Sequence, residues 1–174
     1  KTLKLDGKFS IRLYDPMVLV GADMKDADGN ANKSFRKLFK YISKGNEKEQ
    51  KIAMTTPVFM DKGEQEDKKM YFVMPDSHVK DGTPAPKDTS LKVIKQPEKL
   101  VAAYRYKGGN TEAKNDAGEQ LLKDWLTEND FTPVGDSFTA SYDSPFKPRF
   151  LHTNEVLFEI DKEALKIIAK QQEE

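Results

Sequence analysis

The stretch Pro-Met-Val-Leu-Val-Gly-Ala at residues 16–22 returns 81 positions later as Pro-Glu-Lys-Leu-Val-Ala-Ala at residues 97–103. Four of these seven positions are identical: the proline, the leucine, the valine after it and the last alanine. In both places a strand-like segment is followed by a helix-like segment and two more strand-like segments. This repetition predicts two βαββ halves related by an approximate twofold axis. We place them at about residues 9–75 and 90–160 of one domain that spans residues 1–174.

Hydrophobic spacing locates the strands and helices. Strands are predicted at residues 11–24 (interrupted at Pro16), 52–60, 70–74, 91–94, 100–106, 131–142 and 156–160. The apolar stripe of the first long helix consists of Phe35, Leu38, Phe39 and Ile42, with Asn32 or Ser34 at its start and Gly45 after its end. The stripe of the second consists of Ala113, Ala117, Leu121, Leu122, Trp125 and Leu126. A short helix is predicted at residues 162–170, and residues 75–88 are predicted to be a surface connection.

Several predicted strands are apolar on both faces. In the segment 52–60, Ile52 and Val58 lie on one face while Ala53 and Phe59 lie on the other. Such strands belong to a sheet that is covered on both sides. We therefore expect an α+β fold, with a curved, barrel-like antiparallel or mixed sheet and two helices packed outside. Its concave apolar face is the expected place for a small molecule.

Composition excludes several functional classes. The 29 Lys and Arg balance 29 Asp and Glu, and the pI is about 7.0, which is not the charge distribution of a nucleic-acid-binding protein. The absence of cysteine excludes disulfides and thiolate metal sites. No apolar run reaches the ~18 residues of a membrane span. We expect a soluble protein, cytoplasmic, or periplasmic if a leader before Lys1 was removed, and the sequence leaves its oligomeric state open.

The motifs that would indicate a catalytic or metal site are incomplete. Residues 26–30 (Asp-Ala-Asp-Gly-Asn) would place Met24 and Phe35 at the end positions of a calcium loop, which favours a plain turn. His78 and His152 are the only histidines. Each is interpreted as a surface or hydrogen-bonded residue, with axial ligation of haem iron as the alternative. Neither a nucleophile elbow nor a phosphate loop is present, so we expect no enzymatic activity.

Two groups of charged residues remain as candidates for a site. Glu155 and Glu159 lie on one face of the last strand, which favours a solvated face over paired acid–base chemistry. Lys37, Lys40 and Lys44 lie on the polar face of the first helix. They are interpreted as a solvated face or, alternatively, as a cluster that holds the carboxylates of a ligand beside an apolar residue, Phe39.

The segment Lys-Ile-Ala-Met-Thr-Thr-Pro-Val at residues 51–58 closely resembles the signature of the SOUL/haem-binding protein family. Further matches follow in family order: Ser-Ile-Arg-Leu-Tyr at 10–14, Lys-Tyr-Ile at 40–42, Pro-Phe-Lys-Pro at 145–148 and Asn-Glu-Val at 154–156. The resemblance covers about residues 9–160. It implies the same barrel-like sheet of two βαββ halves and a non-enzymatic protein that binds haem or another tetrapyrrole.

The resemblance also implies a set of binding residues. In related members the haem lies against the first helix, largely by apolar contact, with basic residues near the propionates. Carried over by motif, it implies Lys40 and Lys147 as the propionate partners. Phe35, Phe39 and Phe146 would supply apolar contact.

This chain departs from the family in two places. The arginine that some members carry at the start of the first helix is Asn32 here, and no histidine precedes His78. The resemblance therefore implies haem as the cofactor. It leaves the axial ligand of the iron and any metal site unassigned. The fold is also similar to bacterial effector domains that bind cationic drugs near a buried acid. That similarity implies Glu155 as the acid of an alternative site for other hydrophobic or cationic molecules in the concave face.

Overall fold

In a computed structural model, residues 1–24, 31–62, 68–144 and 146–173 are described. The chain forms two compact units. The contiguous unit comprises residues 16–97, and the split unit comprises residues 1–15 together with 98–174. Both contain strands and helices, so the predicted α+β class is confirmed.

The described residues contain nine strands and four helices. The strands are β1 (Thr2–Asp6), β2 (Phe9–Tyr14), β3 (Met17–Asp23), β4 (Val58–Asp61), β5 (Lys69–Val73), β6 (Lys92–Gln96), β7 (Lys99–Lys107), β8 (Pro133–Ser141) and β9 (Thr153–Ile160). The helices are α1 (Ala31–Ile42), α2 (Asp76–Asp81), α3 (Glu112–Glu128) and α4 (Ala164–Glu173), and a 3-10 turn lies at Arg149–Leu151. None of these helices is both long and apolar enough to cross a membrane.

The predicted βαββ repeat is present in both units. In the contiguous unit β3, α1, β4 and β5 follow one another along the chain, and the strand order in the sheet is β4-β5-β3-β6. In the split unit β7, α3, β8 and β9 follow one another, and the strand order is β1-β2-β7-β9-β8. Neighbouring strands within each unit are antiparallel, and neither unit's sheet closes on itself.

The compact units do not coincide with the halves read from the sequence at 9–75 and 90–160. Strand β2 precedes the first repeat but pairs with β7, the first strand of the second repeat. Strand β6 precedes the second repeat but pairs with β3. Pro16 and Pro97 stand at these two crossings, where a residue that cannot donate a ladder hydrogen bond ends the preceding strand. Each unit therefore takes its additional strand from the sequence that precedes the other repeat.

The contiguous unit has its core between α1 and the sheet. Leu38 of α1 is fully buried in the same cluster as Phe72 of β5. Gly21 of β3 lies beneath the ring of Tyr71, and a Cβ at this glycine would be 2.9 Å from two ring carbons. The ring is held in place because its hydroxyl donates to Asp61 Oδ2 at 2.8 Å. The glycine is therefore required by a close approach between neighbouring strands.

The split unit has its core between α3 and its own sheet. Leu122 of α3 is fully buried. The Trp125 ring stacks on Phe9 of β2 at a centroid distance of 5.1 Å, and its Nε1 donates to Asp6 Oδ2 at 2.8 Å. The stripe predicted from spacing is too wide, because three of its members are exposed: Ala113, Ala117 and Leu121. The buried face is narrower and is centred on Leu122.

The strand predicted over 52–60 is wrong for its first six residues, because β4 begins only at Val58. In the register of β4 with β5, the residue opposite Val73 would be Pro57, which has no N–H to donate. The Thr55 hydroxyl donates to the Val73 carbonyl instead, at 2.5 Å. The Thr55 side chain thus supplies the hydrogen bond to the Val73 carbonyl that the backbone of Pro57 cannot supply.

Three further segments bear on the sequence predictions. The connection at 75–88 contains the short helix α2, which spacing did not indicate. The segment tested as a calcium loop, residues 26–30, lies outside the described residues. So do residues 63–67, between β4 and β5.

Candidate functional site

Helix α1 carries two aromatic rings in contact and, directly after the second of them in sequence, a lysine. The ring of Phe35 packs edge-on against Phe72 with 5.3 Å between centroids. The ring of Phe39 stacks on Phe35 at 6.1 Å, and 49% of Phe39 is exposed. The helix already buries Leu38, so the second phenylalanine is aromatic surface beyond what the core uses. We call Phe35, Phe39 and Lys40 the α1 surface.

The apolar residues around this helix are adaptable. All six methionines of the chain belong to the contiguous unit. Met24 and Met60, together with Val58, are partly buried against the same core as Phe35. Methionine has an unbranched, polarisable side chain that adjusts to irregular partners. The core beside Phe35 is therefore lined by side chains that can adjust their shape.

The end of α1 fixes the backbone position of Lys40. The Gly45 N–H donates to the Lys40 carbonyl at 2.9 Å, and a Cβ at Gly45 would lie only 2.6 Å from that oxygen. Lys44 adopts a φ of 88° just before it. Buried Asn46 donates to the Tyr41 carbonyl at 3.2 Å. The helix ends at Ile42, and Lys44 adopts the left-handed conformation expected from the sequence at Gly45. Lys40 stands in the last helical turn, where the helix dipole favours a cation.

An acid lies near the lysines of α1. Hydrogen bonds from Ser90 lower the pKa of Asp88, and the positive charges of Lys37 and Lys40 act in the same direction. Lys37 Nζ also lies 3.4 Å from Ser90 Oγ. Lys40 is exposed, so its interaction with Asp88 is screened by water. The ammonium group remains accessible to another anion.

The residues expected to begin α1 behave differently from prediction. Ser34 is buried and donates its hydroxyl to the Asp23 carbonyl at 2.9 Å, so it ties the helix to β3 instead of capping it. The side chain of Asn32 lies outside the described residues. Among the predicted site residues, the structure thus brings Phe35, Phe39 and Lys40 together on one helix.

Phe146 and Lys147 lie in the split unit, on the loop between β8 and β9. Phe146 is 95% exposed. Lys147 Nζ forms an ion pair with Asp143 Oδ1 at 2.5 Å, and Asp143 also accepts the Thr153 N–H. His152 Nε2 lies 2.7 Å from the Lys147 carbonyl. The loop is well braced, and the charge of Lys147 is already partly neutralised; Pro145 lies outside the described residues.

Glu155 is not on a solvated face, which corrects the prediction for this residue. It is fully buried on β9, and Arg12 of β2 holds both its oxygens, at 2.9 and 2.7 Å. Arg105 Nε lies 3.3 Å from Oε1, and the Tyr142 hydroxyl donates to Oε2 at 2.7 Å. Burial raises the pKa of Tyr142, with Tyr14 and Glu155 adding to the effect, so this phenol stays protonated as a donor.

This network occupies the helix-free face of the split unit's sheet. Arg12 reaches Glu155 from β2 to β9, over the intervening β7. The hydrogen bond to Glu155 raises the pKa of Arg12. Two arginines and one phenol satisfy a single carboxylate, so the local charge is positive. A cationic ligand would have to displace Arg12, and Glu155 therefore does not suit the alternative role implied for it.

Each histidine uses one ring nitrogen in a close polar contact. His78 lies in α2 with Nδ1 3.1 Å from Ser77 Oγ, and its Nε2 is buried without a partner among the described residues. His152 uses Nε2 to brace the loop through the Lys147 carbonyl. Over the same part of the chain, no cluster of three His, Asp or Glu residues could hold a metal ion.

A groove of about 280 Å³ lies elsewhere in the split unit, between β1 and α4. Its lining consists of Lys1, Thr2, Leu3, Leu165, Ile168 and Ala169. None of the predicted site residues is among them. Its position beside exposed chain ends distinguishes it from the α1 surface.

Sequence reasoning missed the partners of Glu155 and the neighbours of Phe146. Arg12 belongs to the quoted motif at 10–14, and an acid on a strand that is apolar on both faces would have signalled the need for such a partner. Phe150 is 74% exposed and Leu151 46% exposed. No periodic pattern marks these two, because they follow a proline in an irregular loop.

Comparison with protein families gives a match to the family described as SOUL heme-binding protein, over residues 1–159. No curated protein sequence matches the chain.

Solved structures share the fold. An uncharacterized conserved protein from Listeria innocua has a TM-score of 0.63 and 11% identity, with 88% of this chain and 92% of that chain covered. A hydrolase from Listeria innocua has a TM-score of 0.61 at the same identity and coverage. The EcmrR C-terminal domain has a TM-score of 0.56 and 16% identity, covering 88% and 97%. At these identities the likeness concerns the fold alone.

Proposed function

The chain belongs to the SOUL haem-binding protein family, and from this premise we propose that it binds haem or a related tetrapyrrole non-covalently at the α1 surface. The observation that carries the proposal is the half-exposed ring of Phe39, which stacks on Phe35 and is followed directly by the exposed cation Lys40. A flat apolar ring with carboxylate substituents needs this combination of aromatic contact and positive charge.

Each residue has a distinct role in this proposal. Phe35 and Phe39 offer ring surface to the tetrapyrrole, while Lys40 pairs with a propionate. The bound haem would supply an iron centre, and the side chains described here would supply only contact and charge. Phe146 and Lys147 lie in the other compact unit, and Lys147 is already paired with Asp143. We therefore assign these two residues no contact with the ligand at the α1 surface.

The proposal assigns no histidine of this chain to the iron, and it is supported by the burial of His78 Nε2 and by the contact of His152 Nε2 with the Lys147 carbonyl. Affinity then rests on apolar contact and charge pairing, and we expect a dissociation constant in the micromolar range, about −8 kcal/mol. His78→Ala and His152→Ala should leave the position of the Soret band unchanged. A shift of that band in either variant would assign an axial ligand and contradict this part of the proposal.

A haemin titration followed at the Soret band tests the proposal. Phe39→Ala removes an aromatic ring that is half exposed before binding, so we expect affinity to fall by roughly five- to tenfold. Lys40→Glu reverses an exposed charge and should weaken binding by roughly two- to tenfold.

The matched control is Lys170→Glu, because Lys170 is also an exposed cation in the last turn of a helix, α4. It should leave the affinity unchanged. Absence of saturable binding below tens of micromolar in the wild type would reject the function. Equal effects of Lys40→Glu and Lys170→Glu would reject the role of the α1 surface.

Two other functions receive less support. A cationic ligand at Glu155 would face Arg12 and Arg105 already bound to that carboxylate. Hydrolase activity is suggested only by the description of a protein 11% identical to this one. We propose neither.

A further inference from the structure

The loop after β8 displays large apolar side chains to solvent. Phe146 is 95% exposed, Phe150 is 74% exposed and Leu151 is 46% exposed. Phenylalanine is among the residues most often buried, and a cluster of exposed apolar side chains within six residues marks a contact site. We call residues 146–151 the aromatic-basic loop.

This loop is held in a defined conformation. The Leu151 N–H donates to the Pro148 carbonyl at 2.9 Å and forms the 3-10 turn. The Asp143–Lys147 ion pair, at 2.5 Å, and His152, whose Nε2 is 2.7 Å from the Lys147 carbonyl, brace its two sides. The aromatic rings are therefore presented by a structured turn, and ordering the loop adds little cost to binding.

Cations alternate with and surround the apolar side chains. Arg149 stands between the two phenylalanines and is exposed. Lys107 Nζ donates to the Thr153 hydroxyl at 2.6 Å, beside the end of the loop. Lys114 Nζ donates to the Lys107 carbonyl at 3.2 Å. Both lysines use neutral acceptors in these contacts, so the contacts do not cancel their charge.

We propose that the aromatic-basic loop docks onto an anionic phospholipid surface. Phe146, Phe150 and Leu151 enter the boundary between headgroups and acyl chains, and Arg149 contacts the headgroup phosphates. A ring that is 95% exposed projects from the protein and would need a matching pocket in a protein partner. In a bilayer the lipids rearrange around an inserted ring, so no matching pocket is needed. The aromatic-basic loop lies in the split unit and the α1 surface in the contiguous unit, so different residues test the two proposals.

Co-sedimentation with vesicles tests the proposal. The apo protein is mixed with vesicles of phosphatidylserine and phosphatidylcholine in equal parts, or of phosphatidylcholine alone. We expect binding to the first, with loss at high salt, and little binding to the second. Arg149→Glu should weaken binding to the anionic vesicles by about fivefold or more, because one cation near such a surface is worth about that factor. Phe150→Ser should weaken it by a similar factor.

Matched controls separate the loop from the rest of the surface. Leu5→Ser changes another exposed apolar residue, which is 74% exposed, and Lys170→Glu changes another exposed cation. Both should bind vesicles like the wild type. The family resemblance also implies Phe146 as a haem contact, so this residue is left unchanged.

A second readout follows from the single tryptophan. Trp125 is 6% exposed, so a tryptophan introduced by Phe150→Trp would report separately on the loop. Its emission should shift to the blue when anionic vesicles are added. Failure of the wild type to sediment, or equal loss in the loop variants and their controls, would overturn the proposal. Failure to sediment would leave the loop as a contact for a protein partner.

Discussion

Replacing Arg12 by methionine tests how far the split unit depends on the ion pair that crosses β7. Methionine keeps an unbranched apolar stem but removes both hydrogen bonds to Glu155. The carboxylate, with no exposed surface, would retain Arg105 Nε at 3.3 Å and the Tyr142 hydroxyl at 2.7 Å. The variant therefore leaves a buried charge with incomplete compensation.

The magnitude follows from burial. Removing one partner of a fully buried ion pair costs about 3–5 kcal/mol. The Arg12 side chain is 21% exposed and two other donors remain, so we expect a loss of about 2–3 kcal/mol of unfolding free energy. For a chain of this length that corresponds to a fall in Tm of roughly 5–10 °C. The double variant Arg12→Met with Glu155→Leu should recover most of the loss, because an apolar pair replaces both charges.

Urea unfolding, followed by Trp125 fluorescence and far-ultraviolet circular dichroism, measures these changes. Arg36→Met is the matched control, since Arg36 is an exposed arginine on α1, and it should stay within about 0.5 kcal/mol of the wild type. An Arg12→Met variant as stable as this control would refute the reasoning. So would a double variant less stable than Arg12→Met alone.

Three further predictions concern the cores and the buried phenols. Leu122 is fully buried, so Leu122→Ala should lower the free energy of unfolding in urea by about 2–5 kcal/mol. Leu121 is 46% exposed, so Leu121→Ala should lower it by less than about 0.5 kcal/mol. Equal losses in the two variants would contradict the packing of α3. Gly21→Ala should cost about 1–3 kcal/mol in the same assay, since the added methyl meets a tethered ring, and a neutral result would show that the ring can move. Burial raises the pKa of both Tyr41 and Tyr106 to about 12, from an ordinary value of about 10. Their neutral forms therefore stabilise the fold fully below pH ~10, and this contribution is lost as the pH rises towards about 12. An ultraviolet titration of tyrosinate measures the pKa of both residues. Ionisation of Tyr41 and Tyr106 near pH 10 would contradict the raised pKa.

The repeat and the element order could be predicted because both are local in sequence. Pro16 and Pro97 stand at equivalent positions, and apolar spacing located α1 after the first proline and α3 after the second. The pairing of β2 with β7 could not be predicted in the same way. The apolar spacing of a strand does not determine which distant strand pairs with it. The two possible partners of β2, which are the first strands of the two repeats (β3 and β7), have similar apolar patterns.

Parts of the candidate site were predictable for the same reason. Phe35 and Phe39 are four residues apart on a helix, so their contact follows from helical geometry, and Lys40 is next to Phe39 in sequence. Glu155 was interpreted as solvated because its burial depends on Arg12, which is 143 residues away in sequence. The exposure of Phe150 depends on a loop whose conformation is set by hydrogen bonds among Asp143, Lys147 and His152, and such contacts leave no periodic signal.

The exchange of β2 and β6 between the repeats has a consequence for biosynthesis. The contiguous unit has all its strands once residue 97 has left the ribosome, whereas β1 and β2 must wait for β7. Closing that long loop has an entropic cost that local pairing does not have. We expect protease pulses on nascent chains to cleave residues 1–15 until the chain has passed residue 107. Strands β1 and β2, although translated before all the other strands described here, would then be among the last of them to acquire their neighbours.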